Sequence, residues 1–387
     1  MTSREACIAL NMMEGMGPVT ARALRERLGS YEAIFQCAAA SLGGIPNVGP
    51  ERIDQILRQR DAPDPAGEEK RARRLGARIM TCVDDDYPEA LRNIHDPPLA
   101  LYVRGAWKPE DRQAFGVVGS RHCTQYGRAS SDRLSYQLAK LGFTVVSGLA
   151  RGIDMAAHEG ALKAGGRTVA VLGSALDRLY PADAGPLADR IAEQGAVISE
   201  YPIGREADRT TFPYRNRIIS GLSIGVLVVE CDVRSGALHT SRFAAEQGRP
   251  VFAVPGRIDS PMSRGPHRLL RDGAKLVEDV KDIVEEYEYL WPGVRARQQE
   301  LSLEQPAARI RLDPEEQSLA EALLEGPLDT DTLARRTGIP AARLNVALMS
   351  LEMKRVVRLR PGRQVELAAP PEALKDPADP GPNDGHP

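Results

Sequence analysis

Two arginines and an asparagine stand together in Phe212-Pro213-Tyr214-Arg215-Asn216-Arg217, and an apolar stretch follows them into Gly225-Val226-Leu227-Val228-Val229-Glu230. Residues 225–230 read as a short, fully buried parallel strand. A guanidinium held at the edge of such a sheet can grip phosphate oxygens in pairs. Taken alone, the segment also fits a solvated loop of charges.

Glycine-rich turns recur after apolar runs elsewhere in the chain. Phe115-Gly116-Val117-Val118 leads into Gly119-Ser120-Arg121, and Thr144-Val145-Val146 leads into Ser147-Gly148-Leu149-Ala150-Arg151-Gly152-Ile153-Asp154. Thr168-Val169-Ala170-Val171-Leu172 leads into Gly173-Ser174, and the 225–230 run leads into Arg234-Ser235-Gly236-Ala237-Leu238. Glycines at strand C-termini let backbone N–H groups face an anion, with the positive end of the next helix behind them. One such turn is weak evidence; the succession indicates a phosphate-binding edge.

Together these segments closely resemble the DprA family of DNA-processing proteins, which bind single-stranded DNA and help load recombinase during natural transformation. The resemblance spans about residues 80–280. Its carriers include Tyr87-Pro88, Asp96-Pro97-Pro98-Leu99, residues 118–121 with Tyr126-Gly127, residues 147–154 with Ala157-His158, residues 212–223, residues 234–238 and residues 248–256.

The resemblance implies a Rossmann-like site for single-stranded DNA. Gly119, Ser120 and Arg121 would form its floor, Gly148, Arg151 and Gly152 would add donors, and Arg215, Asn216 and Arg217 would close it, with Arg234 and Ser235 in the fourth turn. Phe212 or Tyr214 is either a base-stacking face or core packing. The implied partners are the recombinase RecA, a second copy of the chain through the Rossmann-like domain, and single-stranded DNA-binding protein. No cofactor and no metal are implied.

Bulk properties narrow the options. At 387 residues the chain holds two or three domains. Its 51 Lys+Arg against 53 Asp+Glu give a formal net charge of -2, so a nucleic-acid site must be a local patch. Aromatics at 5% argue against an RNA-binding sheet with several stacking platforms. The five cysteines form no C-x-x-C, which fits a reducing cytosol and gives neither a disulfide framework nor a zinc site. No signal pattern or membrane-length apolar run stands out, so the expectation is a soluble, cytoplasmic protein.

The α/β expectation comes from residues 68–290, where short apolar runs alternate with amphipathic segments. That pattern calls for a doubly wound, mostly parallel sheet. Within it Leu134, Leu138 and Leu141 fall on one helical face. Residues 1–60 read as a helical, helix-hairpin-helix-like domain whose two glycine-proline turns either hold DNA phosphates or simply pack. Residues 61–67 and 291–312 read as linkers, and 370–387 as a disordered tail. Residues 313–369 give a winged-helix pattern. Its third helix carries mainly Leu344, Val346, Leu348, Met349, Leu351 and Met353, which favours protein contact or packing over base reading.

Enzymatic alternatives draw on the same residues. Ser147, Asp154 and His158 make an imaginable triad, but no G-x-S-x-G elbow is present, and Asp154 is expected to cap the helix carrying His158. A phosphoribohydrolase-type enzyme would use residues 234–240 and Glu246, although its proline-glycine-glycine element is missing. A dinucleotide oxidoreductase lacks its G-x-G-x-x-G. The expectation is a non-enzymatic DNA-binding mediator.

Overall fold

A computed structural model describes residues 1–45, 48–287, 312–324, 326–354, 356–360 and 364–367. Nine strands form the main sheet: β1 (Ala77–Thr81), β2 (Ala100–Gly105), β3 (Ala114–Val118), β4 (Thr144–Ser147), β5 (Thr168–Leu172), β6 (Ala196–Ser199), β7 (Val226–Val228), β8 (Val251–Ala253) and β9 (Lys275–Leu276). Their order is β1-β2-β6-β5-β4-β3-β7-β8-β9. The β6-to-β9 block is parallel throughout, and β1 and β2 extend it antiparallel beyond β6. The alternation of apolar runs gives no sign of that antiparallel extension.

Alternation along the strands explains the layers. Val169 and Val171 of β5 pack on Ile218, Ile219 and Leu222 of helix Thr211–Leu222. Ala170 and Leu172 point the other way, into a cluster with Leu162, Ala188 and Ile191 from helices Ile153–Lys163 and Gly185–Gln194. Helices therefore cover both faces, as a buried parallel sheet requires. Leu134, Leu138 and Leu141 are buried on one side of helix Gln125–Lys140 and its end, as their spacing predicts.

The chain divides into two compact units, Met1–Arg297 and Gln298–Pro387. In the first, helices Ser3–Met12, Pro18–Leu28, Ala33–Gln36 and Pro50–Gln59 close a core of Leu10, Leu24, Ile34, Leu42 and Ile56. Both longer hairpin helices start on a proline that follows a glycine cap, a position where a missing N–H costs nothing. The first hairpin turn is already occupied from within the molecule. Gln59 and Gln55 bond the backbone of Glu14 at 2.7 and 3.1 Å, and Arg52 donates to the Gly15 carbonyl.

Residues 61–67 are not simply a linker. Asp64 accepts the Gly67 N–H at 2.9 Å and caps helix Pro65–Arg74. In the second unit, helices Pro314–Ala322, Thr330–Thr337 and Ala341–Met353 precede strands Val357–Arg360 and Gln364–Leu367, which pair antiparallel with each other and, through the latter, with Leu328–Asp329. Leu344, Leu348 and Leu351 of the third helix are buried, whereas Val346 and Met349 are exposed. The linker expected at 291–312, Leu312 apart, and the tail expected at 370–387 fall outside the described residues.

Candidate nucleic-acid interface

The chain runs from β3 through β4 and β5 to β6 on one side, then returns to place β7 on the other flank of β3. The connections after β3 and β7 therefore diverge, and a crevice opens at their C-terminal ends, the usual ligand position in such sheets. A cleft of about 440 Å³ lies there. Its walls come from the turns after β3 and β7 and from the first turns of helix Thr211–Leu222.

The mouth of the cleft carries cations without internal carboxylate partners. Arg121 is exposed, and its guanidinium lies 4.7 Å from the Phe212 ring centre and 5.9 Å from that of Tyr180. The two rings sit 5.4 Å apart, so the guanidinium rests on an aromatic pair. Arg234 is exposed on the turn after β7. Among the described residues neither arginine has an ion pair, including the Arg234 pairing with Glu230 or Asp232 that a purely structural role would require.

The floor is saturated instead. Arg215 is 4% exposed; it donates to the Gly148 carbonyl at 2.9 Å, to the Val171 carbonyl, and to Asn216 Oδ1 at 3.1 Å. Asn216 in turn donates to the Gly236 carbonyl at 3.2 Å. These two side chains bind the turns after β4 and β7 and the end of β5 into one piece. Burial pulls the Arg215 pKa down to about 10, with Asp154 opposing the shift. Burial also pushes Asp154 up to about 6, against the pull of Arg215 and of the Ala150 and Gly148 N–H groups.

Asp154 therefore does not cap its own helix as expected. Helix Ile153–Lys163 starts at Gly152 with no side-chain cap, and the Asp154 carboxylate reaches back into the turn after β4. A similar internal anion fills the turn after β3. Glu230, 3% exposed, accepts the Thr124 N–H at 2.8 Å and the Thr124 hydroxyl at 2.7 Å at the start of helix Gln125–Lys140. That helix end is where a Rossmann sheet ordinarily seats a phosphate. Two of the glycine turns thus spend backbone donors on the protein's own carboxylates, which leaves the arginines of the mouth as the cleft's open cations.

Gly119, Ser120, Arg121, Phe212, Arg215, Asn216, Arg234 and Ser235 all line the cleft. Four other expected site residues do not. Arg217 is 0% exposed and held on both sides of its fork: Nε donates to Asp96 at 2.9 Å, and its two terminal nitrogens donate to Glu200 at 2.9 and 2.6 Å. Burial alone would lower its pKa, but Glu200 and neighbouring Tyr214 and Asp96 drive it up. It is a buried clamp, not a DNA-facing cation. Arg151 is exposed but pairs with Asp183 at 3.1 Å, outside the cleft.

Gly148 and Gly152 are supports. A Cβ on Gly148 would lie 2.6 Å from Arg215 and 2.7 Å from Asp154, and Gly152 adopts φ 85° directly beneath the Ser120 and Arg121 carbonyls. Leu149 between them also has a positive φ, 56°, a conformation that costs a non-glycine residue about 1–2 kcal/mol. Tyr214 is partly exposed and stacks on Arg217 rather than lining the cleft.

Neither set of catalytic side chains assembles. The Ser147 hydroxyl donates to the Val117 carbonyl at 2.6 Å, and His158 Nδ1 pairs with Thr168 at 2.7 Å. Glu246 pairs with Arg242 at 2.8 Å on an exposed helix face and does not line the cleft. Among the described residues no group of three metal-ligating side chains converges, and no helix is long and apolar enough to cross a membrane. Tyr180 and Glu230 carry no signal in the sequence that marks them as site residues. Tyr180 lies in no glycine turn, and Glu230 reads only as the end of a strand.

Comparison with known proteins decides the family. Residues 78–288 match the model for DNA recombination-mediator protein A, more than half of the chain. The chain belongs to the DprA family. Residues 304–363 match the DprA winged helix domain, and residues 8–60 match a SAM-like helix-hairpin-helix tandem.

Protein Smf of Synechocystis is 31% identical over 93% of this chain and 97% of its own length. The DNA processing protein DprA of Streptococcus pneumoniae is 44% identical over 54% of this chain and 74% of its own. The X-ray structure of DprA from that species superimposes with a TM-score of 0.65 at 34% identity, covering 74% of this chain and 98% of that one. The structure of DNA processing protein A from Helicobacter pylori, described for its single-stranded DNA binding mode, gives 0.50 at 29% identity over 55% and 97%. This chain thus carries the family's α/β sheet between a helix-hairpin-helix segment and a winged-helix segment.

Proposed function

We propose that the cleft between the β3 and β7 turns holds the backbone of single-stranded DNA and that the protein acts as a non-enzymatic recombination mediator. The observation that carries this reading is the contrast in charge compensation: Arg121 and Arg234 stand open at the mouth while the acids and bases beneath them are paired. Phosphates on a flexible strand can bend to meet both cations, and the Phe212 and Tyr180 rings offer a face to an unstacked base. A duplex, with a persistence length of about 150 base pairs, cannot bend into so small a cleft.

The same proposal includes delivery of the bound strand to the recombinase RecA during natural transformation, in the cytoplasm. A homodimer through the Rossmann-like domain would grip one strand twice and raise its effective concentration. Single-stranded DNA-binding protein is a further partner in this scheme. The single-stranded DNA binding described for the Helicobacter pylori relative supports the ligand assignment.

A phosphoribohydrolase role is less well supported, because Glu246 stands outside the cleft. Titrating single-stranded and duplex oligonucleotides at several salt concentrations tests the reading. Single strands should bind preferentially, with affinity falling as salt rises. Equal duplex affinity, or release of free base from a mononucleotide, would overturn it.

A further inference from the structure

The chain holds five cysteines, and two of them meet across the junction between the N-terminal helices and the sheet. Cys7 lies on helix Ser3–Met12 and Cys82 directly follows β1, 75 residues later. Their sulfurs are 3.8 Å apart. The Tyr31 hydroxyl lies 3.8 Å from the Cys82 sulfur. Arg92 bonds the Cys82 carbonyl at 2.7 Å, and the Arg25 guanidinium lies 5.4 Å from the Tyr31 ring centre. Cys7 is fully buried, whereas Cys82 is partly exposed.

We propose that Cys82 and Cys7 form a peroxide-oxidisable pair, Cys82 the attacking thiol and Cys7 the resolving one, which closes a disulfide between the N-terminal helices and the edge of the sheet. Access sorts the two roles, because Cys82 is partly exposed to an oxidant and Cys7 is fully buried. The Cys7 thiol, the Tyr31 hydroxyl and the Arg25 and Arg92 charges hold the Cys82 pKa below its ordinary value, against burial. Cys7 is pushed up by its contact with Cys82 and by burial, so it stays a thiol until its partner is oxidised. The remaining cysteines lack this setting. Burial raises the pKa of Cys123 and takes Cys231 up to about 12, and Cys37 donates to the Ile34 carbonyl at 3.5 Å.

The chemistry balances with a peroxide as the oxidant. The Cys82 thiolate attacks one peroxide oxygen, the O–O bond breaks, hydroxide leaves, and the sulfur becomes a sulfenic acid after a two-electron oxidation. Cys7 sulfur then attacks Cys82 sulfur, the S–O bond breaks, and the departing hydroxide takes the Cys7 proton as water. Two thiols and one hydrogen peroxide give one disulfide and two waters. The sulfurs must close from 3.8 Å to a bond of about 2.05 Å. A disulfide closing so long a loop restricts the unfolded chain, so the oxidised protein should melt higher.

The test is mass spectrometry of the full chain after treatment with equimolar hydrogen peroxide and digestion without reductant. The expected product is a Cys7–Cys82 cross-linked peptide pair that reductant releases, with an upward shift in thermal midpoint before reduction. Cys7→Ser should block the cross-link and leave Cys82 as a sulfenic acid that dimedone captures. Recovery of Cys7 and Cys82 as free thiols while Cys123 or Cys37 is oxidised would overturn the proposal. So would failure of dimedone to label Cys82 in a folded Cys7→Ser protein.

Discussion

Arg121 and Arg217 are both arginines of the same sheet edge, yet they belong to regions with opposite electrostatic logic. Arg121 sits at the mouth of the cleft, over an aromatic ring, with no carboxylate partner among the described residues. Arg217 sits on helix Thr211–Leu222 with no exposed surface, its fork closed on Asp96 and Glu200. An open cation is available to an incoming phosphate; a buried one that already binds two carboxylates is not. The buried layer therefore has a structural task, with Arg215 and Asn216 holding the turns and Arg217 clamping two carboxylates, while the mouth is left open for the ligand proposed above.

The largest test of that division falls on the buried Arg217 clamp. Breaking a buried ion pair from one side leaves stranded charge and typically costs about 3–5 kcal/mol. Arg217→Ala should lower unfolding stability by that order in a denaturant titration. If the variant is as stable as the parent but loses DNA affinity, Arg217 belongs to the mouth and the comparison fails.

The next effect is a pH dependence of the buried layer. Burial holds the His158 pKa down to about 3 from an ordinary 6.5, with Arg215 adding to the shift. The unfolded chain takes up this proton below pH 6.5 while the folded one resists until about 3. The neutral histidine's stability contribution is thus complete above 6.5 and is lost as pH falls, by about 1.4 kcal/mol per unit across that window. Asp154, raised to about 6, acts in the opposite sense: its contribution is full below its ordinary value of 3.8 and is lost as pH rises toward 6. His158→Gln should therefore flatten the acid-side loss of stability in denaturation midpoints between pH 6.5 and 4. An unchanged slope would mean that His158 titrates normally.

A smaller effect distinguishes ring from charge at the mouth. Phe212→Ala should weaken single-strand binding by about 1–3 kcal/mol while leaving its salt dependence unchanged, because a ring displaces no counterions. A change in salt slope without loss of affinity would show that Phe212 serves only to hold Arg121.

Much of this architecture is legible in the sequence because it rests on short-range patterns. The apolar runs ending at Val118, Leu172 and Val229 place strands β3, β5 and β7, and the glycine turns after β3 and β7 mark the edge where the cleft opens. Pairing across long separations is what the sequence conceals. Nothing near Arg217 announces that Asp96, 121 residues away, closes on it. Likewise Thr124 gives no sign that Glu230 will occupy the end of its helix. An arginine in or beside a glycine turn of the phosphate-binding type looks the same whether its partner is a ligand or a distant carboxylate, so Arg151 and Arg217 group with Arg121 on sequence alone. The β1–β2 extension is hidden for a related reason: its antiparallel pairing depends on partners far along the chain.

The most direct measurement is a titration of Arg121→Glu with a fluorescent single-stranded oligonucleotide across a salt series, beside the parent protein. The variant should unfold within about 0.5 kcal/mol of the parent, as exposed positions usually do. Its affinity should fall at least tenfold for every base sequence tried, because phosphates carry no base information. The slope of log K against log salt should shrink by about 0.7 for each phosphate that the protein no longer neutralises. A folded Arg121→Glu protein that binds single strands as tightly as the parent, with the same salt slope, would contradict the assignment of the cleft mouth to DNA.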